Sequence, residues 1–411
     1  MRTNRKKPKI TQAVILCGGV GSRLGKLTKN LPKSMLKIDS TVFLELIFRQ
    51  FLSHGIKEII LLCGFKYSKI FQSFHNKNYY GIKIKCVKET RPLGTGGAII
   101  NALKFLDRYF ILCNGDTYFN FNISEFISKF DSNFDGLIAL TSKKNLRYSG
   151  VLLEKGVVKK FGINNRKKIL INAGFYIFKK KIFSSSKLAP VSLEYNLIPK
   201  LVEKKKLKGF KFDKDLNHFI DIGTQKDFSK AQSLIPKIIR KRAVFLDRDG
   251  VINEDRKYVS EIKNFYWNSG VKRGIKKLND NNFFVFVITN QAGVGRGYYS
   301  EEQVLKLHNW ISNELRKIGA YIDYFFYAPY YKYSKKLKYR NGVGLRKPNT
   351  GMIDMAIKNW PIDLKKSFLI GDKQIDMDLA KKVNIKGCLM KNNRGFSKII
   401  DSILASVKRR K

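Results

Sequence analysis

Long apolar runs are missing from this chain. No stretch approaches the ~20 consecutive apolar residues that a membrane helix needs. Behind the basic segment Met1 to Lys9 the apolar run extends only from Ala13 to Cys17, too short for a signal-peptide core. A cytoplasmic protein with no membrane partner is therefore expected. Cysteine is sparse as well: Cys17, Cys63, Cys86, Cys113 and Cys388 are scattered, with no CxxC spacing. That pattern excludes a disulfide framework and a metal knuckle. Cys17, Cys63 and Cys113 fall in apolar, strand-like runs, as buried thiols in a reducing compartment would. Fixed-period repeats and low-complexity tracts are absent too.

Carboxylates are scarce relative to cations. The chain has 32 Asp and Glu against 81 Lys and Arg, a formal net charge of +49. Such an excess invites a nucleic-acid or anionic-membrane reading. Binding of that kind needs a patch, and here the cations are spread over the whole chain. Lys, Asn, Ile, Phe and Tyr are all abundant, which points to compositional bias from AT-rich coding. No nucleic-acid partner is expected, although a positive field would draw in phosphorylated substrates.

What is present is enough for large cores. The chain has 411 residues, 44% hydrophobic and 13% aromatic, so more than one domain is expected. Short apolar runs at Gln12 to Cys17, Glu58 to Cys63, Ile82 to Val87 and Phe110 to Cys113 read as buried strands. Helical patterns at Val42 to Ser53 and Gly97 to Leu106 lie between them. This alternation predicts βαβ units around a mostly parallel sheet. Shorter strands and turns follow from Gly136 to Phe178, then helix at Ser192 to Lys204, a strand at Phe219 to Ile222 and a basic helix at Lys226 to Arg240. At Arg242 the alternation restarts with the strand Ala243 to Leu246. The fold class expected is α/β with two doubly wound domains, residues 1–235 and 236–411.

Two constellations carry chemistry. In the first, a strand runs into Gly18, Gly19, Val20, Gly21, Ser22 and Arg23. Glycines let backbone N–H groups approach a phosphate, and Arg23 adds a planar cation. The spacing is GGxGxR, not the GxGxxG of dinucleotide sites. Lys33 follows in Pro32-Lys33-Ser34-Met35, and a second glycine turn, Leu93 to Ala98, contains Gly96. Asn114-Gly115-Asp116-Thr117 closes a strand with a carboxylate, and Asp221 ends another strand-like run. Ligands of open α/β sheets sit at such carboxyl ends, so Asp116 is placed for a magnesium ion, with Asp221 as a second candidate.

Taken in order, GGVGSRL, PKSM, PLGTGGA, NGDTYF, NAGFYIF, SLEYN and FIDIGT resemble the sugar-1-phosphate nucleotidyltransferase family over residues 12–232. Within it they look most like the D-glycero-D-manno-heptose 1-phosphate guanylyltransferases. The resemblance implies that Gly18, Gly19, Gly21 and Arg23 hold a nucleoside triphosphate, GTP by family, and that Lys33 neutralises its phosphates. It places Gly96 near the base or sugar, Glu194 near sugar hydroxyls, and one magnesium ion on Asp116 and Asp221. Asn114 is counted with the binding residues. Relatives carry a Glu-Lys pair before NAGFYIF whose lysine contacts the sugar phosphate. Here Asn164, Asn165, Arg166 and Lys167 stand there, with Arg166 or Lys167 as substitutes.

In the second constellation the strand Ala243 to Leu246 ends in Asp247-Arg248-Asp249. Two carboxylates two residues apart can serve as a nucleophile and a proton shuttle at one phosphorus. Thr289, Asn290 and Gln291 close the strand Phe284 to Ile288 with donors for phosphoryl oxygens. Arg346 and Lys347 precede Pro348, and Asp372 with Asp376 follows the strand Ser367 to Ile370. DxD, Thr, Lys and GDxxxD in this order resemble the haloacid-dehalogenase phosphatases over residues 242–392. DRDGVIN, TNQAGVGRGY, RKPNTGM and GDKQIDM look like the heptose 1,7-bisphosphate phosphatases, near relatives of the histidinol phosphatases.

By that resemblance Asp247 forms an aspartyl-phosphate and Asp249 is the general acid and base. Thr289 and Lys347 stabilise the transferred phosphoryl group, Asn290 donates to it, and Arg346 contacts substrate. Asp247, Asp249 through its carbonyl, and Asp372 hold magnesium. Relatives bind zinc through a CxH pair and a later CxC. Ala328, Tyr330, Val343 and Leu345 occupy those places, so no zinc is expected. The function expected is removal of one phosphate from a heptose bisphosphate, then joining of heptose 1-phosphate to a nucleotide. The alternative pairs a nucleotidyltransferase for another sugar 1-phosphate with a histidinol-phosphatase-like enzyme.

Overall fold

The computed structural model describes residues 8–142, 150–163, 170–184, 188–212 and 218–408. Arg166 and Lys167, the candidate sugar-phosphate cations, lie outside them. Contacts divide the chain into two units, Met1–Lys237 and Ile238–Lys411.

The first unit is built on the strand Gln12–Leu16, four of whose five residues are buried. It pairs in parallel with Glu58–Cys63 on one side and Tyr109–Asn114 on the other, and Ile82–Lys88 extends the parallel core. Strands buried on both faces read as continuous apolar runs, which is why Ile59 to Cys63 carry no polar residue. To this core, residues 136–211 add Gly136–Thr141, Gly150–Glu154, Val157–Ile163, Leu170–Lys179 and Leu207–Lys211. Leu170–Lys179 is the hinge of the design, antiparallel to both Tyr109–Asn114 and Gly136–Thr141. The sheet is therefore mixed, ten strands wide among the described residues, where the alternation alone predicts a mostly parallel one.

A separate two-stranded sheet pairs Thr117–Phe119 with Phe219–Asp221, antiparallel, with Asp221 opposite Thr117. This small sheet brings residues about a hundred positions apart to one end of the main sheet.

The second unit is a five-stranded sheet with every pairing parallel. Its centre, Ala243–Leu246, lies between Phe284–Asn290 and Phe368–Gly371, with Tyr324–Ala328 and Lys386–Leu389 at the edges. Apolar residues of alternating strand positions feed two cores, one on each face. Val244 and Leu246 join the core with Val285, Leu307 and Ile400, while Ala243 and Phe245 join the other with Phe286, Met352 and Leu379. Helix Glu301–Arg316 covers one face and starts in a capping box between Ser300 and Gln303.

Candidate active sites

In the first unit the end of Gln12–Leu16 opens into the glycine loop. A side chain at Gly18 would lie 2.8 Å from Glu89 Oε1, so the loop passes close to the residue that follows strand Ile82–Lys88. Gly19 faces open space. Gly21 adopts φ +71, where glycine is least strained, and its carbonyl accepts from Leu24 N and from Thr28 Oγ1 at 3.0 Å. The loop is thereby folded back, and Arg23 is carried in the short helix Ser22–Thr28.

The two aspartates picked from the sequence stand side by side at the end of the small sheet. The Asp116 carbonyl accepts from Ile222 N at 3.0 Å, next to Asp221. Asp221 Oδ1 accepts from Gly223 N at 2.6 Å, and a Cβ on Gly223 would sit 3.7 Å from Arg23 Nη2. Lys33 forms an ion pair with Asp116. Arg23, Lys33, Asp116 and Asp221 thus share one neighbourhood, two cations against two carboxylates, which is a charge pattern suited to a metal–polyphosphate.

The rest of the first site is set by close backbone approaches. Gly174 has φ +68, and a side chain there would press to 2.5 Å from Asn114 Nδ2. The glycine turn is clasped to residues 191–194: Gly96 N donates to the Val191 carbonyl at 2.8 Å, and the Thr95 hydroxyl donates to Glu194 Oε2 at 2.8 Å. Gly96 and Glu194 therefore belong to one wall. Thr95 lies within the PLGTGGA string, but Val191, which completes the tie, carries no sequence signal of its own.

In the second unit Asp247, Asp249, Thr289, Asn290, Lys347 and Asp372 converge at the carboxyl ends of the three central strands. Lys347 is 4% exposed; its Nζ lies 2.6 Å from Asp247 Oδ2 and 2.7 Å from Asp376 Oδ1. Its loop is fixed by a mutual clasp, Lys347 N to Asn290 Oδ1 at 3.0 Å and Asn290 Nδ2 to the Lys347 carbonyl at 3.1 Å. Burial opposes the charge on Lys347, but Asp247 and Asp376 outweigh it and hold its pKa up. Burial pushes the Asp247 carboxyl up to about 7, with Asp376 and Asp249 adding to the rise and Lys347 opposing it.

Asp247, Asp372 and Asp376 each offer an oxygen, all within 4.8 Å of one another. Asp372 Oδ1 is buried with no hydrogen-bond partner from another residue, and burial raises its pKa. Gly250, at φ +90, leaves space that a Cβ would fill 2.2 Å from Asp372 Oδ2. Hard oxygen donors crowded around an unsatisfied carboxylate fit a divalent cation of the magnesium class. The sequence reading gave Asp376 no role; its signal is its position four residues after Asp372, on the first turn of helix Gln374–Lys382.

Asp249 is held by a buried arginine that sequence reasoning also missed. Arg248 is fully buried; its Nη2 donates to Asp249 Oδ2 at 2.9 Å, to the Val259 carbonyl at 2.6 Å and to Gln291 Oε1 at 3.1 Å. Gln291 Nε2 donates to Asp249 Oδ2 and to Thr289 Oγ1, both at 2.9 Å. This network orients Asp249, and the Arg248 backbone N also donates to Asp247 Oδ1 at 2.7 Å. Arg346 Nη1 donates to the Tyr330 carbonyl at 2.8 Å, so Arg346 anchors the loop that follows Ala328.

That loop is held by tyrosines. Glu301 accepts from Tyr327 Oη at 2.8 Å and from Tyr339 Oη at 2.7 Å. Ala328, Tyr330 and Leu345 offer none of the nitrogen or sulfur ligands that zinc takes.

Comparison with known proteins assigns both halves. The nucleotidyl transferase family matches residues 12–237, and the polynucleotide kinase 3 phosphatase family matches residues 244–394. A D-glycero-α-D-manno-heptose 1-phosphate guanylyltransferase of Campylobacter jejuni is 38% identical over 221 residues, covering 53% of this chain and 96% of that protein. A D-glycero-β-D-manno-heptose-1,7-bisphosphate 7-phosphatase of Rhodopseudomonas palustris is 43% identical over 148 residues, 36% of this chain and 82% of that protein. Among solved structures, HddC of Yersinia pseudotuberculosis is 32% identical and aligns over 55% of this chain and 100% of its own, with a TM-score of 0.49.

Proposed function

Because the chain belongs to the nucleotidyl transferase family over residues 12–237, and in its second unit to the family of the heptose-1,7-bisphosphate 7-phosphatases, we propose that it performs two consecutive steps of nucleotide-activated heptose synthesis. The second unit removes the 7-phosphate of D-glycero-D-manno-heptose 1,7-bisphosphate. The first joins the heptose 1-phosphate to GMP from GTP and releases pyrophosphate. One observation carries this reading: nearly whole relatives of both enzymes lie in one chain, 82% and 96% of their lengths. Product of one is substrate of the other only if both act on the same anomer; the guanylyltransferase relative is named for the α form, while the phosphatase relatives are named for the β form and for the α form alike.

In the phosphatase step, an Asp247 oxygen attacks the 7-phosphorus and the bond from phosphorus to the sugar oxygen breaks. Asp249, oriented by Arg248 and Gln291, gives its proton to the departing oxygen. It then takes a proton from the water that attacks the aspartyl-phosphate, which returns Asp247 and releases inorganic phosphate. Lys347 opposes the rise that burial imposes on the Asp247 carboxyl and, with Thr289 and Asn290, faces the transferred phosphoryl group. Asp247 and Asp372, with Asp376 beside them, would hold a magnesium ion, as Asp116 and Asp221 would in the first unit, and the ion would supply neutralisation of phosphate charge.

In the nucleotidyl step, a phosphate oxygen of heptose 1-phosphate attacks the α-phosphorus of the triphosphate, and the bond to the β-phosphate bridge breaks. The Gly18 to Gly21 backbone, Arg23 and Lys33 position and neutralise the triphosphate, while Gly96, Asn114 and Glu194 line the base and sugar. Turnover of a panel of triphosphates and sugar 1-phosphates, with heptose bisphosphate and histidinol phosphate for the second unit, tests the assignment. GTP with heptose 1-phosphate, and heptose bisphosphate, are expected to be preferred. Preference for another sugar or for histidinol phosphate overturns it.

A further inference from the structure

His308 is a buried titratable side chain close to the second site, and the reaction above makes no use of it. It is 4% exposed and lies on the inward stripe of helix Glu301–Arg316 with Val304, Leu307, Ile311 and Leu315. An apolar residue would suit that stripe, because a buried polar ring costs free energy unless it is hydrogen-bonded. Its Nδ1 is buried with no hydrogen-bond partner among the described residues. Whatever His308 contributes besides packing therefore comes through Nε2.

Nε2 lies 3.4 Å from Arg248 Nη1. A guanidinium can only donate, so Nε2 accepts, and the ring is neutral with its proton on Nδ1. Burial, then the Arg248 charge, disfavours the protonated ring and so preserves this acceptor. The ring itself is held from the strand Tyr324–Ala328. It stacks on Phe325 with centroids 4.5 Å apart and meets Tyr327 edge to face at 5.9 Å.

The donors of Arg248 show what this acceptor does. Nη2 faces the Asp249 carboxylate, the Val259 carbonyl and Gln291 Oε1. Nε donates to Asp249 Oδ1 at 3.2 Å. For Nη1 the acceptor among the described residues is His308. The guanidinium is planar and rigid, so an acceptor on Nη1 fixes the plane in which Nε and Nη2 grip Asp249. Helix Glu301–Arg316 is thereby coupled to the carboxyl group that moves the proton.

We propose that His308 is a positioning residue for proton transfer: as a fixed acceptor it sets the plane of Arg248, and through Arg248 it aims the Asp249 carboxyl at the departing oxygen. It touches neither substrate nor reacting atoms. The consequence is selective. A sugar oxygen must receive a proton as its bond to phosphorus breaks, and Asp249 supplies it. A 4-nitrophenolate leaves as a stable anion and needs none. Loss of aim should therefore slow the sugar phosphate and spare the aryl phosphate. This rests on the phosphatase reading of the second unit, though not on heptose being the sugar.

The test compares kcat/KM for heptose 1,7-bisphosphate and for 4-nitrophenyl phosphate in the full chain and in H308F and H308Q. For each ester this quantity covers the steps up to departure of the leaving group. In H308F, which keeps an aromatic ring and lacks the acceptor, kcat/KM for the sugar falls by about tenfold or more, the scale of a small misplacement of a reacting group. Its value for 4-nitrophenyl phosphate stays close to wild type, which also shows that the variant is folded. H308Q, whose amide oxygen can accept from Arg248, recovers most of the sugar activity. No fall on the sugar, an equal fall on both esters, or an H308Q as impaired as H308F overturns the proposal. If wild type prefers another phosphosugar, the heptose reading fails and the same comparison on that sugar decides this one.

Discussion

Lys347 Nζ lies 2.6 Å from Asp247 Oδ2 in a setting almost closed to water, and its second contact, Asp376 Oδ1, is 2.7 Å away. One buried cation therefore holds together the expected nucleophile and a carboxylate of the metal cluster. Removing one partner of such a buried pair leaves uncompensated charge and costs about 3–5 kcal/mol. Lys347→Met is expected to destabilise the second unit by that order and to abolish phosphate release. Nucleotidyl transfer from supplied heptose 1-phosphate should persist. Trp267, Trp310 and Trp360 all lie in the second unit, so tryptophan fluorescence during denaturation reads its stability alone.

Asp116 and Asp221 meet through the small sheet and not through the main one. Asp221→Asn is expected to lower kcat for nucleotidyl transfer by at least about tenfold if it takes part in neutralising the polyphosphate. The phosphatase rate should be unaffected. Pyrophosphate release at saturating substrates measures it.

His308 is the single histidine of the second unit. It is buried against Phe325, and its Nε2 lies 3.4 Å from Arg248 Nη1. Burial, then the Arg248 charge, holds its pKa well below the usual 6.5. The folded state thus refuses a proton that the unfolded chain accepts. Its stabilising effect is complete above pH ~6.5 and is lost progressively as pH falls below that, with a limiting slope of about 1.4 kcal/mol per pH unit. Asp247, raised to about 7, gains stability over the same range as pH falls, so the His308 contribution is read as the difference between wild type and His308→Phe in urea unfolding followed by tryptophan fluorescence at pH 7.5 and 5.5. Wild type should lose stability relative to His308→Phe as pH falls.

The loop after Ala328 depends on Glu301, which receives both Tyr327 and Tyr339 hydroxyls. Hydrogen bonds to a charged acceptor contribute about 1.5–3 kcal/mol each. Glu301→Ala should speed amide exchange across residues 331–340, whereas Tyr339→Phe should do so less. A zinc-selective chelator should leave phosphatase activity intact, while EDTA abolishes it and added magnesium restores it.

Which parts of this were legible in the sequence follows from where the information lies. Asp247, Asp372 and Asp116 could be read because a carboxylate just past an apolar strand has one obvious place in an α/β sheet. The strand Ala243–Leu246 was expected with the bounds it has. Arg248 could not be read as the holder of Asp249: a buried arginine between two aspartates looks like any charged residue until Val259 and Gln291 arrive from elsewhere. Asp376 was visible as a spacing but not as a partner of Lys347, since the contact joins a helix start to a loop. The mixed sheet of the first unit escaped for a similar reason. Leu170–Lys179 has the composition of any buried strand, and its direction is fixed only by pairing with Tyr109–Asn114 and Gly136–Thr141.

The central claim, two independent sites acting in sequence, is tested most directly by complementation. The full-length variants Asp247→Asn and Asp116→Ala are each given heptose 1,7-bisphosphate, GTP and magnesium, alone and mixed, and phosphate, pyrophosphate and nucleotide-sugar are followed. Alone, Asp247→Asn should release no phosphate but use supplied heptose 1-phosphate, and Asp116→Ala should release phosphate but no pyrophosphate. The mixture should make nucleotide-sugar. A folded variant that loses both activities, or a mixture that makes no nucleotide-sugar, contradicts it.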